Sequence, residues 1–333
     1  MKSIQNVLLV LFSLSLAGGV VFAAAGPTRH ALKTLDDIVA APEGNLDLLE
    51  AVLLISRDAI EDLDGIKVSS GESRQQVERM VNQVSKSVAE AEEPFDKLRV
   101  LNRCLFEREK FQAGSSSIEN SLPDELFIDR VIKNHKGTCL SLSLLYLSLG
   151  ERLGLPLSAV SVPDHFFVRW DDGEVQINVE TTQQGEFLPD EFYKLTHGQG
   201  RPDILPLKPL TKRQVAGIFL SNVANEYKQR GKYEESIVLY RKALALAPDN
   251  PTIMTNLGNA YERMGWIDEA IAQYERSLNI DPLLCETHYN LGLAHFLYTK
   301  RFDLALIHGR VAEKIGCPMH PAFKDFLEKN KQP

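Results

Sequence analysis

Three stretches near the N-terminus, Leu46 to Leu63, Gln75 to Val88 and Phe95 to Phe111, carry apolar residues at three-and-four spacing, the pattern of helices with one buried face. Gly114-Ser-Ser-Ser117 interrupts it, and Pro123 to Asn134 reads as a further short helix. Cys139 to Leu153 is different. Over three turns its only polar side chains are Ser, Tyr and Cys, so this helix is expected to be buried, with Thr138 as N-cap and Gly154 and Pro156 as stop signals. The period then falls to two. His165 to Asp171 and Glu174 to Glu180 alternate on either side of Asp172-Gly173, a dipeptide suited to a two-residue type I' turn. That turn sets Phe166, Val168 and Trp170 against Val179, Ile177 and Val175 on an apolar face. It sets His165 directly opposite Glu180 on a mostly polar one, at about 4.5–5.5 Å between Cβ atoms.

From Gln184 to Arg213 four Pro and three Gly mark a linker with little regular structure, and Gly198-Gln-Gly200 within it follows no strand and opens no helix. Beyond it the chain repeats. A shift of 34 residues lays Tyr227 on Tyr261, Gly231 on Gly265, Tyr240 on Tyr274 and Pro248 on Pro282, with Ser236 on Ala270 and Ala243 on Ser277. Small residues recur where antiparallel helices cross, aromatic ones where repeats meet, and Pro where the second helix stops. This resembles the tetratricopeptide repeat (TPR). Three copies are expected at 217–250, 251–284 and 285–319, the last degenerate because one extra residue precedes Phe302-Asp-Leu-Ala305. A capping helix follows over 320–333, with Phe323, Phe326 and Leu327 on one face.

Cys139 heads a buried helix, where the positive end of the dipole favours the thiolate, although a buried Cys is often only a small core residue. An imidazole held by a carboxylate is the orienting half of a Cys-His-acid set, so His165 and Glu180 bear on that choice; an ion pair on the surface is the plainer alternative. The run GTCLSLSLLYLSLGERLGLPLSAVSVPDHFFVRWDDG followed by INVETT resembles the transglutaminase-like superfamily, in its SirB1-type branch, over about residues 46–195. The resemblance implies a nucleophilic Cys at a helix start, a His beginning the next strand and an acid on the strand after it, places held here by Cys139, His165 and Glu180. Catalytic relatives more often have Asp in the third place. Backbone N–H groups at the helix start would supply an oxyanion site. Asn134 and His135 are possible side-chain donors there, but the end of a helix accounts for both. His288 and His295 occupy packing positions of the third repeat, and Cys104 lies between leucines on a helix.

The fold class is therefore α+β: a helical N-terminal part and a transglutaminase-like, papain-like core with a small antiparallel sheet over 30–195, a linker over 196–216, and an all-α TPR solenoid. Acidic residues number 45 against 37 basic, a net charge of -8, the wrong sign for a nucleic-acid binder. No Cys pair has C-x-x-C spacing, and no cofactor or metal is expected. Lys2, the apolar run Val7 to Ala17 and Ala23-Ala24-Ala25 have the layout of a secretory signal over 1–25, predicting an exported, periplasmic or extracellular protein. Residues 7–25 as an uncleaved anchor are the alternative, and the only reason to expect a membrane association.

Two functions remain open. One is a cysteine-dependent acyl-transfer enzyme, a peptidase, amidase or transamidase, whose repeats form a separable recognition arm for a peptide or protein on their concave face. The other is a non-catalytic scaffold with a relic domain. In an oxidising compartment Cys285 and Cys317, at the same edge of the last repeat, could pair, but reduced packing residues are slightly favoured because helix axes about 8–10 Å apart keep Cα atoms distant.

Overall fold

The computed structural model describes residues 32–114, 123–198 and 206–330. The expected signal segment lies outside them. Among the described residues, no helix is long and apolar enough to cross a membrane. The N-terminal body begins with α1 (Leu35–Ala40), α2 (Leu48–Asp64), α3 (Gly71–Glu90) and α4 (Pro94–Asn102), the last running into a π-helical turn at Arg103–Arg108. A two-residue strand β1 (Gln112–Ala113) follows. The single helix expected over 123–134 is two, α5 (Pro123–Leu126) and α6 (Ile128–Asn134). Phe127 breaks them with extended backbone, and the Ser56 hydroxyl from α2 caps the new start by accepting the N–H of Ile128 at 3.0 Å. Strand β2 (Lys136–Gly137) pairs in parallel with β1 and leads into α7 (Cys139–Arg152), every residue of which from Cys139 to Gly150 is buried.

The larger sheet is antiparallel throughout. It comprises β3 (Leu157–Val162), β4 (His165–Asp171), β5 (Gln176–Glu180), β6 (Glu186–Phe187) and β7 (Pro209–Leu210), in the order β6-β5-β4-β3-β7. One face, with Phe166, Val168, Trp170, Ile177 and Val179, joins the main core against α7. The β4–β5 register differs from expectation. Asp171 pairs with Gln176, Trp170 with Ile177 and Val168 with Val179, a slip of two residues that keeps every paired side chain on its predicted face and leaves Glu174 and Val175 in the turn. Acidic side chains cause the slip. Asp172 accepts the N–H groups of Glu174 (3.0 Å) and Val175 (2.8 Å) and Asp171 that of Gly173 (3.0 Å), stabilising a four-residue connection over a two-residue one.

The described residues of the segment read as a linker are also structured. They contribute β6, the helix α8 (Asp190–His197) and β7. The second face of the sheet is consequently not a polar surface: Val160, Val162 and Phe167 pack against Tyr193 of α8. Buried Arg169 and Asn178 hold the first turn of α8 through Asp190, with Asn178 donating to the carboxylate at 2.9 Å and the guanidinium of Arg169 bonded to it as well.

The repeats form three helix pairs: α9 (Lys212–Gln229) with α10 (Tyr233–Leu246), α11 (Pro251–Arg263) with α12 (Ile267–Ile280), and α13 (Cys285–Ala294) with α14 (Phe302–Ile315), closed by α15 (Pro321–Lys329). The first helix begins five residues before its predicted start at 217. Close crossing demands the glycines: a Cβ on Gly217 would meet the Ala243 carbonyl oxygen at 2.9 Å. The extra residue of the last copy is absorbed by a π-helical turn at His295–Thr299, ended by Lys300 at φ 58°. His288 and His295 are buried in this last pair, where His288 Nε2 donates to the Pro282 carbonyl at 3.0 Å. Cys285 and Cys317 are joined as a disulfide with Cα atoms 5.5 Å apart, so the helix ends converge and the reduced state slightly favoured from sequence is not the one found.

The first helix of the arm shares its core with the body. Val215, Phe219, Leu220 and Val223 of α9 belong to the same core as Leu49, Val52 and Leu145, and Lys212 reaches the Leu46 carbonyl at 2.7 Å and Glu151 at 3.1 Å.

Candidate active site

Thr138 caps α7 through its side chain, accepting the N–H of Ser141, while the Ser141 hydroxyl accepts the N–H of Thr138 and donates to the Glu125 carbonyl at 2.6 Å. The first intrahelical bond runs from the N–H of Leu142 to the Thr138 carbonyl. The N–H groups of Cys139 and Leu140 thus precede the helical ladder, beside the thiol and at the positive end of the dipole. Cys139 is 7% exposed and, like Cys104, a free thiol.

His165 opens β4 and lies with both partners expected of it. Its Nε2 donates to Glu180 Oε2 at 2.7 Å, and the Cys139 thiol acts on the same ring, raising the imidazole. A carboxylate only accepts, so the bond to Glu180 places the hydrogen on Nε2 and, in the neutral ring, leaves the lone pair on Nδ1. Burial would push the imidazole down, but the hydrogen bonds from Cys139 and Glu180, and the charge of each, outweigh it and hold His165 up at about 9. At Cys104, burial, with Glu109, pushes the thiol up.

Glu180 is wholly buried, and its four acceptor positions are filled. Oε2 takes His165 and the Tyr193 hydroxyl (3.3 Å), and Oε1 takes the N–H (3.0 Å) and the hydroxyl of Thr182. Burial opposes its charge, yet the bond and charge of His165 and the Thr182 donors keep it below the ordinary carboxylate value. The slipped register explains why a Glu serves here. Extended by the same pairing, Glu180 lies across from Phe167, so it is the diagonal neighbour of His165, about 7–8 Å away along the sheet rather than directly opposite.

Two residues not singled out from sequence complete the site, both on α8: Tyr193, and His197, whose ring lies 4.6 Å from that of His165 at 11°. The signal that could have found them is the apolar pair Phe192-Tyr193 with His197 one turn on, after Pro189. Asn134 and His135 belong to the end of α6, as a helix terminus requires. His135 takes the left-handed conformation at φ 55° and stacks on Phe111.

Residues 71–220 match the family model described as Transglutaminase-like superfamily, and 224–265 and 266–297 match the TPR repeat model. The chain is a transglutaminase-like domain followed by TPR repeats. The family match runs into α9, in keeping with the core that helix shares with the transglutaminase-like domain. The UPF0162 protein of Buchnera aphidicola subsp. Baizongia pistaciae is 31% identical over 150 residues, 45% of this chain and 53% of the relative, so the match spans about half of that relative's length. The UPF0162 protein of Xylella fastidiosa is 25% identical over 233 residues, 68% of this chain and 78% of its own. A crystal structure of menin, at 11% identity, aligns over 85% of this chain and 70% of that one with a TM-score of 0.51, a likeness of fold alone.

Proposed function

We propose that the protein is an exported, cysteine-dependent acyl-transfer enzyme of the SirB1-type branch, with its TPR repeats as the recognition arm for a peptide or protein. The observation that carries it is an imidazole hydrogen-bonded to a buried, fully bonded carboxylate and raised by a thiol at a helix start. In this reading the Cys139 proton has already passed to His165, as the raised imidazole favours, and Sγ then bonds to a substrate carbonyl carbon. The carbonyl oxygen, now negative, takes the N–H groups of Cys139 and Leu140. Collapse breaks the bond to the leaving amine, which receives the proton from His165, and water or a second amine then releases the acyl group. Glu180 orients the ring and balances its charge without taking the proton. The disulfide in the last repeat and the signal-like N-terminal run both support export, since structural disulfides persist in oxidising compartments.

The test is the rate at which each free thiol reacts with iodoacetamide near neutral pH, followed by peptide mass spectrometry. Cys139 should react at least about tenfold faster than Cys104, and His165→Ala should remove the advantage. Equal rates for the two thiols, or an undiminished Cys139 in His165→Ala, would refute the reading.

A further inference from the structure

Helix α8 is pinned at both ends of its reach over the site. Asp190 ties its first turn to Arg169 and Asn178, and Tyr193, stacked on Phe167 at 3.7 Å, ties its middle to Glu180. Its last residue is His197, half-buried, with its ring face to face with that of His165 and the Pro163 carbonyl of the turn before β4 facing it. A histidine here sets a second titratable ring against the first.

We propose that His197 is a positioning residue for the Cys139–His165–Glu180 set, its neutral ring fixing the plane of the His165 imidazole and keeping the proton on that ring. This rests on the acyl-transfer reading above. A single hydrogen bond from Nε2 leaves an imidazole able to roll about that bond, and a flat neighbour against its face removes the freedom. The groups facing His197 are His165 of β4, Asp164 and the Pro163 carbonyl of the preceding turn, Glu180 of β5, and Tyr193 of its own helix. Burial, and next the charge on His165, hold His197 below its ordinary value; the Pro163 carbonyl, Glu180 and Asp164 pull the other way without prevailing. Of two rings 4.6 Å apart, one carries the charge and the other stays neutral. A neutral aromatic face attracts the cation on its partner, so the ring at 197 favours the imidazolium at 165.

Two substitutions separate the ring from its polar atoms. His197→Phe keeps an aromatic face and loses the ring nitrogens, whereas His197→Gln keeps a polar donor and loses the ring. The midpoint of His165, read by NMR of its ring protons, should stay in place in His197→Phe and fall by about one unit, a tenfold change, in His197→Gln. Alkylation of Cys139 by iodoacetamide should slow about tenfold at neutral pH in His197→Gln alone. An unmoved midpoint in His197→Gln, or an equal fall in both variants, would overturn the proposal and leave His197 a packing residue. The NMR midpoint does not depend on reactivity at Cys139, so a slow Cys139 in the unaltered protein sinks the acyl-transfer reading while the midpoint still decides the role of His197.

Discussion

Replacing Glu180 by Gln keeps the volume of a wholly buried side chain and removes its charge, which makes it the sharpest probe of the site. His165 stands at about 9 against an ordinary 6.5. At about 1.4 kcal/mol per unit, the folded state prefers the imidazolium by roughly 3 kcal/mol, after burial has taken its share and with Cys139 and Glu180 dividing the remainder. Because the folded value lies above the ordinary one, this stabilisation is whole below about pH 6.5 and is lost as pH rises through about 9. Gln removes the Glu180 share of it. The new amide NH2 also faces donors at Thr182, at a cost of about 1–3 kcal/mol at any pH. In urea denaturation followed by far-UV circular dichroism, the stability gap between the unaltered protein and Glu180→Gln should therefore be widest near pH 6. It should narrow by about 1.4 kcal/mol or more toward pH 9.5, one unit or more of the lift being lost. Glu174→Gln, in the exposed turn, serves as control and should change stability by less than about 0.5 kcal/mol. A gap that stays constant across this range would refute the assignment of Glu180 as the group that holds the imidazolium.

The shared core makes a second expectation definite: a chain ending at Arg213 loses Val215, Phe219, Leu220 and Val223 from the contact with α2, and should show no cooperative thermal transition, whereas a soluble, cooperatively folding truncation that still labels at Cys139 would contradict it. Reduction of Cys285–Cys317, which closes 32 residues of separation, should lower the stability of the last repeat by roughly 3–4 kcal/mol in the chain-entropy model, and an unchanged urea midpoint with reductant would show that the bond constrains little.

Much of this fold is legible in the sequence because its signals are local. Helix periodicity, the Thr138 cap, the 34-residue repeat and the apolar face of the sheet depend on residues a few places apart, and all four survive in the structure. What is lost depends on partners distant in sequence. Whether Phe127 bends the chain rests on a hydroxyl at Ser56, and whether 184–213 is a loop rests on a sheet that needs a fifth strand and a helix to cover Phe167. Proline and glycine mark where regular structure pauses, and between such pauses eight residues suffice for α8.

The hairpin shows how a wrong local step can leave the site intact. Counting Asp172-Gly173 as the whole turn places His165 opposite Glu180, and the true four-residue turn moves the pairing by two. A slip of one would have turned His165 and Glu180 to opposite faces and destroyed the arrangement; a slip of two preserves the face and changes only the distance. Across the diagonal, the 2.7 Å bond is made by the longer of the two acidic side chains, with Thr182 and Tyr193 filling the remaining positions on the carboxylate. The Glu that departs from the superfamily's commoner Asp is therefore matched to the length of this turn. Residue type and strand register are two expressions of one constraint, the span from Glu180 to the ring of His165.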